Sequence, residues 1–133
     1  MFTKIPEYDF IVLSKKPFRR GVILKSELHY YSELLKKLII VPEGFRSDGA
    51  SVPQFAWNLF HPFGKYLESA IIHDYYYTLG EQNKSPIDYK LATKVFREAM
   101  KKQGVGWAAR NTMFKAVIWF GPRFDAVKLE NSN

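Results

Sequence analysis

Phe45-Arg46-Ser47-Asp48-Gly49-Ala50-Ser51-Val52-Pro53 is the stretch where the chain changes texture. Before it lie short runs of β-branched and aromatic residues closed by turn formers. After it, apolar residues recur every three or four positions between helix start and stop signals. Asp48-Gly49 is a turn dipeptide, and Pro53 opens a short helix. The expected class is therefore α+β: a small antiparallel N-terminal sheet, then a bundle of three to four helices, with this loop at the junction.

Upstream, residues 9–14 form a β-like run, residues 22–31 alternate in part, and residues 37–41 form an apolar run stopped by Pro42 and Gly44. They read as one antiparallel meander over about residues 9–45, although residues 32–37 also fit a single helical turn. Downstream, residues 52–60 read as a short helix broken by His61-Pro62-Phe63-Gly64. Residues 66–79 form a second helix with Leu67, Ala70, Ile71, Tyr75 and Thr78 along its apolar stripe, ended by Gly80 as an αL cap. The next helix starts with Ser85 as N-cap, Pro86 in the first turn and Asp88 as an acid at the third helical position. It runs to about Gln103, with Leu91, Ala92, Val95, Phe96 and Ala99 inward. A last helix covers Trp107–Phe120, with Trp107, Phe114, Val117 and Ile118 as core, and stops at Gly121-Pro122. Residues 125–133 form a polar, frayed tail. The chain reads as one domain over residues 1–133, with a site loop at 45–53 and helices over about 53–120.

At 133 residues, 47% hydrophobic and 17% aromatic, the chain has material for one core. It has no cysteine, which excludes disulfides, thiolate nucleophiles and cysteine-based zinc sites. No apolar run approaches the roughly 20 residues that cross a bilayer, and the start lacks the apolar core of a signal peptide. The expectation is a protein with no transmembrane segment. The net charge of +7 suits an anionic partner, but it is dispersed. Lys15-Lys16-Pro17-Phe18-Arg19-Arg20 is the densest cluster, Lys101-Lys102 a lesser one, and no recognition helix or RNA-binding signature accompanies them. A nucleic-acid partner is not expected, and solvated charge is the plainer reading.

The chemistry-bearing residues are Asp48, Gly49 and the His73-Asp74-Tyr75-Tyr76-Tyr77 run. Positions 70, 73, 74 and 77 are neighbours on a helix surface, and Asp74 falls at the edge of the apolar stripe. Two carboxylates with loop carbonyls form an oxygen-rich set that suits Ca²⁺ better than Zn²⁺. His73 beside such an ion could take a proton from water. The same residues admit a structural reading: Asp48 as an ordinary turn residue, and His73-Asp74 as a polar pair tying helix to loop. Trp57, Phe60 and Phe63 read as packing residues, with contact to lipid as the other possibility. Tyr75, Tyr76 and Tyr77 cannot all face inward on one helix, so at least one is expected at the surface, and His29 and His61 lack acidic neighbours at ligand spacing.

The phrase Val41-Pro42-Glu43-Gly44-Phe45-Arg46-Ser47-Asp48-Gly49-Ala50-Ser51-Val52-Pro53, then His73-Asp74-Tyr75-Tyr76-Tyr77, then Phe96-Arg97-Glu98-Ala99-Met100 and Gly104-Val105, resembles the domain-of-unknown-function family numbered 1353. The resemblance covers about residues 22–121. It implies a protein of tailed bacteriophages or prophages, a family without a settled activity. A more distant likeness is to prokaryotic phospholipases A2, whose loop resembles Ser47-Asp48-Gly49-x-Ser51 and whose helix resembles His73-Asp74-x-x-Tyr77. That likeness implies a phospholipase-A2-like helical core. Asp48, Asp74 and a loop carbonyl near Gly49 would bind Ca²⁺, with His73 as general base and Tyr77 steadying the network. One departure stands out. Phospholipases A2 orient the histidine with an aspartate three residues before a phenylalanine on a second helix, and counting back from Phe96 gives Thr93.

The functional expectation is a phage-encoded protein with a phospholipase-A2-like His/Asp site, in the virion or the host cytoplasm, acting at host envelope lipid. If it turns over, it is a calcium-dependent lipid ester hydrolase. The alternative is a non-enzymatic tail, connector or host-factor-binding protein whose partners are other virion proteins.

Overall fold

The computed structural model describes residues 1–15, 18–47 and 67–127. Six strands precede three helices among them: β1 (Phe2–Lys4), β2 (Tyr8–Lys15), β3 (Phe18–Leu24), β4 (Leu28–Ser32), β5 (Lys37–Val41), β6 (Arg46–Ser47), then α1 (Leu67–Glu81), α2 (Tyr89–Lys102) and α3 (Trp107–Phe120). The class is α+β, as the sequence indicates. The expected helix over residues 52–60, with Trp57, Phe60, His61 and Phe63, lies outside the described residues.

The strands form two antiparallel three-stranded sheets, ordered β1-β4-β5 and β2-β3-β6, where the sequence pattern gave one meander. The run over residues 22–31 divides between them. Leu24 ends β3, and the chain turns so that the Lys25 amide donates to the Glu7 carbonyl at 2.7 Å while the Ser26 hydroxyl accepts from the Glu7 amide at 3.1 Å. No glycine or proline marks that turn, so the alternation reads straight through it. In the β4–β5 hairpin, Leu28 faces Val41 and Tyr30 faces Ile39, all four buried, while Tyr31 and Leu38 pair on the exposed face. Lys36 takes a left-handed φ of 54° and closes a hairpin turn where one helical turn was the other option.

After β5 the chain changes sheets. Gly44 adopts φ 85° and its amide donates to the Leu24 carbonyl at 2.8 Å. Nothing lies within 4 Å of a Cβ added there, so the backbone conformation alone calls for glycine. The turn delivers Arg46 and Ser47 opposite Ile23 and Val22 of β3.

α1 is buried on most of its circumference, from Ser69 to Asp74 and again at Tyr76. Its apolar stripe is therefore wider than the sequence stripe: Ile72 and Tyr76 join Ala70 and Ile71, and none of Tyr75, Tyr76 and Tyr77 is fully exposed. Val22, Leu24, Leu28, Tyr30, Ile39 and Val41 pack on Ile71, Ile72 and Tyr76 and on Ala92 and Val95 of α2. Fully burying each of the larger aliphatic side chains contributes about 1.5–3 kcal/mol. A second cluster joins Ala70, Phe96 and Met100 to Met113, Ala116 and Val117 of α3. Glu98 ties α2 to the hairpin, accepting from the Tyr30 hydroxyl at 2.5 Å and the Leu34 amide at 2.8 Å.

Four local expectations are corrected. Gly80 lies within α1, and the left-handed cap is Asn83 at φ 55°. The Lys84 amide donates to Leu79 and the Asn83 amide to Gly80, a Schellman arrangement. Gly80 serves packing, because a Cβ there would fall 2.4 Å from the Phe124 ring. Asp88 is itself the N-cap of α2, accepting from the Leu91 amide at 2.9 Å, while Ser85 bonds Ile87 one turn earlier. Trp107 is 71% exposed and not core; Val117 is buried, and Phe114 and Ile118 are half-buried. Residues 125–127 are not frayed: the Val127 amide donates to the Ser85 carbonyl at 2.8 Å. The rest of that tail lies outside the described residues.

Candidate functional site

β3 positions Ser47 through backbone pairing, and α1 positions His73 and Asp74 near its middle. Neighbouring helix residues project about 100° apart, and the two side chains accordingly engage different elements. Asp74, 2% exposed, accepts a short hydrogen bond from the Ser47 hydroxyl through Oδ2. The residue directly before Asp48 in the sequence is thus fastened to α1. Asp48 and Gly49, the metal ligands expected from the sequence, lie outside the described residues.

His73 is fully buried, with its ring 5.3 Å from that of Phe96. Nε2 lies 3.2 Å from Thr93 Oγ1. The Thr93 hydroxyl donates its proton to the Tyr89 carbonyl at 2.6 Å, so it faces His73 as an acceptor. Nε2 therefore carries the ring proton and Nδ1 keeps a lone pair. Nδ1 is buried and has no hydrogen-bond partner among the described residues. Burial pushes the imidazole pKa down to about 4, so the ring is neutral at pH 7. Tyr77, expected to steady this network, is half-buried on α1.

Asp74 and Ser47 come together, and so do His73 and Thr93. The described residues hold no hydrogen bond between His73 and Asp74. Among them, no group of three or more histidine, aspartate or glutamate side chains is placed to hold a metal ion. Asp74 is the single carboxylate they contribute here, so a Ca²⁺ shell would depend on Asp48 and Gly49. Sequence reasoning gave Ser47 no role, although it stands beside Asp48. It found Thr93 by its spacing from Phe96 and treated it only as the loss of an acid.

The family model described as "Protein of unknown function (DUF1353)" matches residues 22–117. This chain belongs to that family. Ser47, Asp48, Gly49, His73, Asp74 and Thr93 all fall inside the DUF1353 segment. "Uncharacterized protein y4jT" of Sinorhizobium fredii (strain NBRC 101917 / NGR234) is 40% identical over 85 residues, which is 62% of this chain and 24% of that protein. The chain thus spans about a quarter of the length of this relative. No solved structure matches the chain. No helix among the described residues is long and apolar enough to cross a membrane.

Proposed function

We propose that this DUF1353 protein carries a slow, phospholipase-A2-like ester hydrolase site. His73 is the general base, and Asp74, Asp48 and the Gly49 carbonyl are the oxygen ligands for Ca²⁺. The observation that carries this reading is the state of His73: a neutral ring, Nε2–H given to Thr93, and a lone pair on Nδ1 with no described partner. A general base needs a fixed tautomer and an unshared lone pair, and Thr93 occupies the orienting place that an aspartate fills in phospholipases A2. Thr93 brings no negative charge, so the base is weak and turnover slow. The bond between Ser47 and Asp74 supports the second half of the reading, because it holds the residue that precedes Asp48 in sequence against the helix. When bound, Ca²⁺ would polarise the ester carbonyl. Tyr77, one helical turn beyond His73, would steady the site. The setting proposed is a phage or prophage protein acting at host envelope lipid.

A second reading rests on the burial of Asp74. A carboxylate 2% exposed and bonded to Ser47 serves equally as a latch between β6 and α1 in a non-enzymatic virion component.

Calorimetric titration of Ca²⁺ into wild type and Asp74→Asn separates the two, together with fatty-acid release from anionic phospholipid vesicles. The hydrolase reading expects calcium heat lost in Asp74→Asn and ester cleavage lost in His73→Gln at unchanged melting temperature. Absence of both heat and cleavage in wild type, with Asp74→Asn merely less stable, leaves the latch.

A further inference from the structure

The fold gathers four cations that lie apart in sequence into one cleft of about 400 Å³ between α2, the start of α3 and the β4–β5 hairpin. Lys94, Arg97 and Lys101 form one stripe of α2 at three- and four-residue spacing, and Arg110 faces them from the first turn of α3. None of the four is in an ion pair among the described residues, where the bridges are Lys25–Asp9, His29–Glu27 and Lys102–Glu33. Glu98, the acid in the lining, has both oxygens engaged by the Tyr30 hydroxyl and the Leu34 amide. The two guanidiniums are held in place. Arg97 stacks over the Phe114 ring at 4.0 Å and donates to Asn111 Oδ1 at 3.2 Å, and Arg110 donates to the Val105 carbonyl at 3.1 Å. At the mouth stands Trp107, 71% exposed, an aromatic face with little cover. Trp107, Arg110 and Asn111 from the first turns of α3 line the same cleft, and Gly106 provides no side-chain cap for that helix.

An anion alone would need the cations and not the indole; an apolar partner would need the indole and not four unpaired cations. We propose that this cleft binds a nucleotide unit, with its phosphate on Arg97, Arg110 and the two lysines and its base stacked on Trp107. Positive charge that tracks a backbone, beside an aromatic face that takes any base, is how single strands are held without sequence preference. The site is separate from His73, Asp74 and Thr93, none of which lines it. The net charge that looked dispersed along the chain is concentrated by folding, away from residues 15–20.

The test is fluorescence anisotropy of a labelled twelve-nucleotide mixed-sequence strand over a salt series, with a mononucleotide, inorganic phosphate and phosphatidylglycerol vesicles as competitors. Trp107→Ala is expected to weaken strand binding about tenfold. Lys94→Gln/Lys101→Gln is expected to lower the slope of log K against log salt by roughly 1.4. These side chains are exposed, so circular dichroism should show folded variants. Displacement by the mononucleotide at matched phosphate concentration would assign the site to free nucleotides, and its failure to strands. Three results would overturn the proposal: no binding by strand or mononucleotide, binding indifferent to Trp107→Ala, or equal competition by inorganic phosphate or vesicles.

Discussion

The hydroxyl of Thr93 meets Nε2 of His73 at 3.2 Å with its own proton already given to the Tyr89 carbonyl at 2.6 Å. That order of donation fixes the tautomer of a fully buried imidazole without placing a charge beside it. Thr93→Val removes the acceptor and strands a buried N–H, at a cost of about 1–3 kcal/mol, readable as a lower urea midpoint at pH 7. Thr93→Asp places a carboxylate at the same position and should raise the His73 pKa from about 4. An NMR titration in which the His73 ring shifts still titrate unchanged in Thr93→Asp would show that the two groups do not meet in solution.

Ser47 and Asp74 are 27 residues apart in sequence and joined by a buried hydrogen bond. Removing one partner of a buried hydrogen bond costs about 1–3 kcal/mol, so Ser47→Ala and Asp74→Asn should each destabilise. As direct partners they should be non-additive, and the double variant should lose less than the sum by about 1 kcal/mol. Strict additivity in chemical denaturation would mean that the contact carries no energy.

Stop and start signals made α3 and the end of α2 legible to within a residue or two, at Gln103-Gly104, Gly106-Trp107 and Gly121-Pro122, but they set the start of α2 at Ser85, three residues before its actual N-cap Asp88. Strand pairing was less legible, because partition into two sheets depends on which runs meet, not on their composition. Residues 25–27 turn without a glycine or proline, and β1 is too short to show alternation. Trp107 was misplaced because an aromatic at a helix start fits core and surface equally in a one-dimensional pattern. Asp74 stood out as a carboxylate at the edge of the apolar stripe of its helix, with His73 beside it in sequence. The role of Thr93 as acceptor required knowing where its own proton goes. The basic cleft was hidden because Arg110 joins the α2 stripe only after α3 folds back.

Gly80 illustrates the difference between a conformational and a packing glycine. Its φ is not left-handed, yet an added Cβ would lie 2.4 to 2.8 Å from Cγ, Cδ2 and Cβ of Phe124. These are not the far end of a flexible chain, so Gly80→Ala should push the 121–127 segment off α1 and cost about 1–3 kcal/mol. Hydrogen exchange reads it directly, because the Tyr89 amide donates to the Phe124 carbonyl at 3.0 Å and the Val127 amide to Ser85. Both amides should exchange faster in the variant. Unchanged protection would place Phe124 elsewhere. Asn83→Gly is the complement, since at φ 55° glycine relieves strain, and it should be neutral or slightly stabilising.

The buried imidazole also sets how stability responds to acid. His73 has a folded pKa of about 4, below its ordinary value of 6.5, because burial disfavours the charged form. Between those values the unfolded chain binds a proton that the folded chain refuses. Stability is therefore fully present above pH 6.5 and declines as pH falls toward 4, by about 3 kcal/mol in all. Carboxylates begin to titrate near the lower end, so the diagnostic window is pH 6 to 5, where this one group contributes a slope of about 1 kcal/mol per pH unit. Urea denaturation across that window should show the slope in wild type and in His29→Gln, whose ring is partly exposed and paired with Glu27, and a slope reduced by that amount in His73→Gln. If His73→Gln keeps the wild-type slope, the ring is not held neutral in the folded protein. The tautomer assignment, and the base proposed on it, would then fall together.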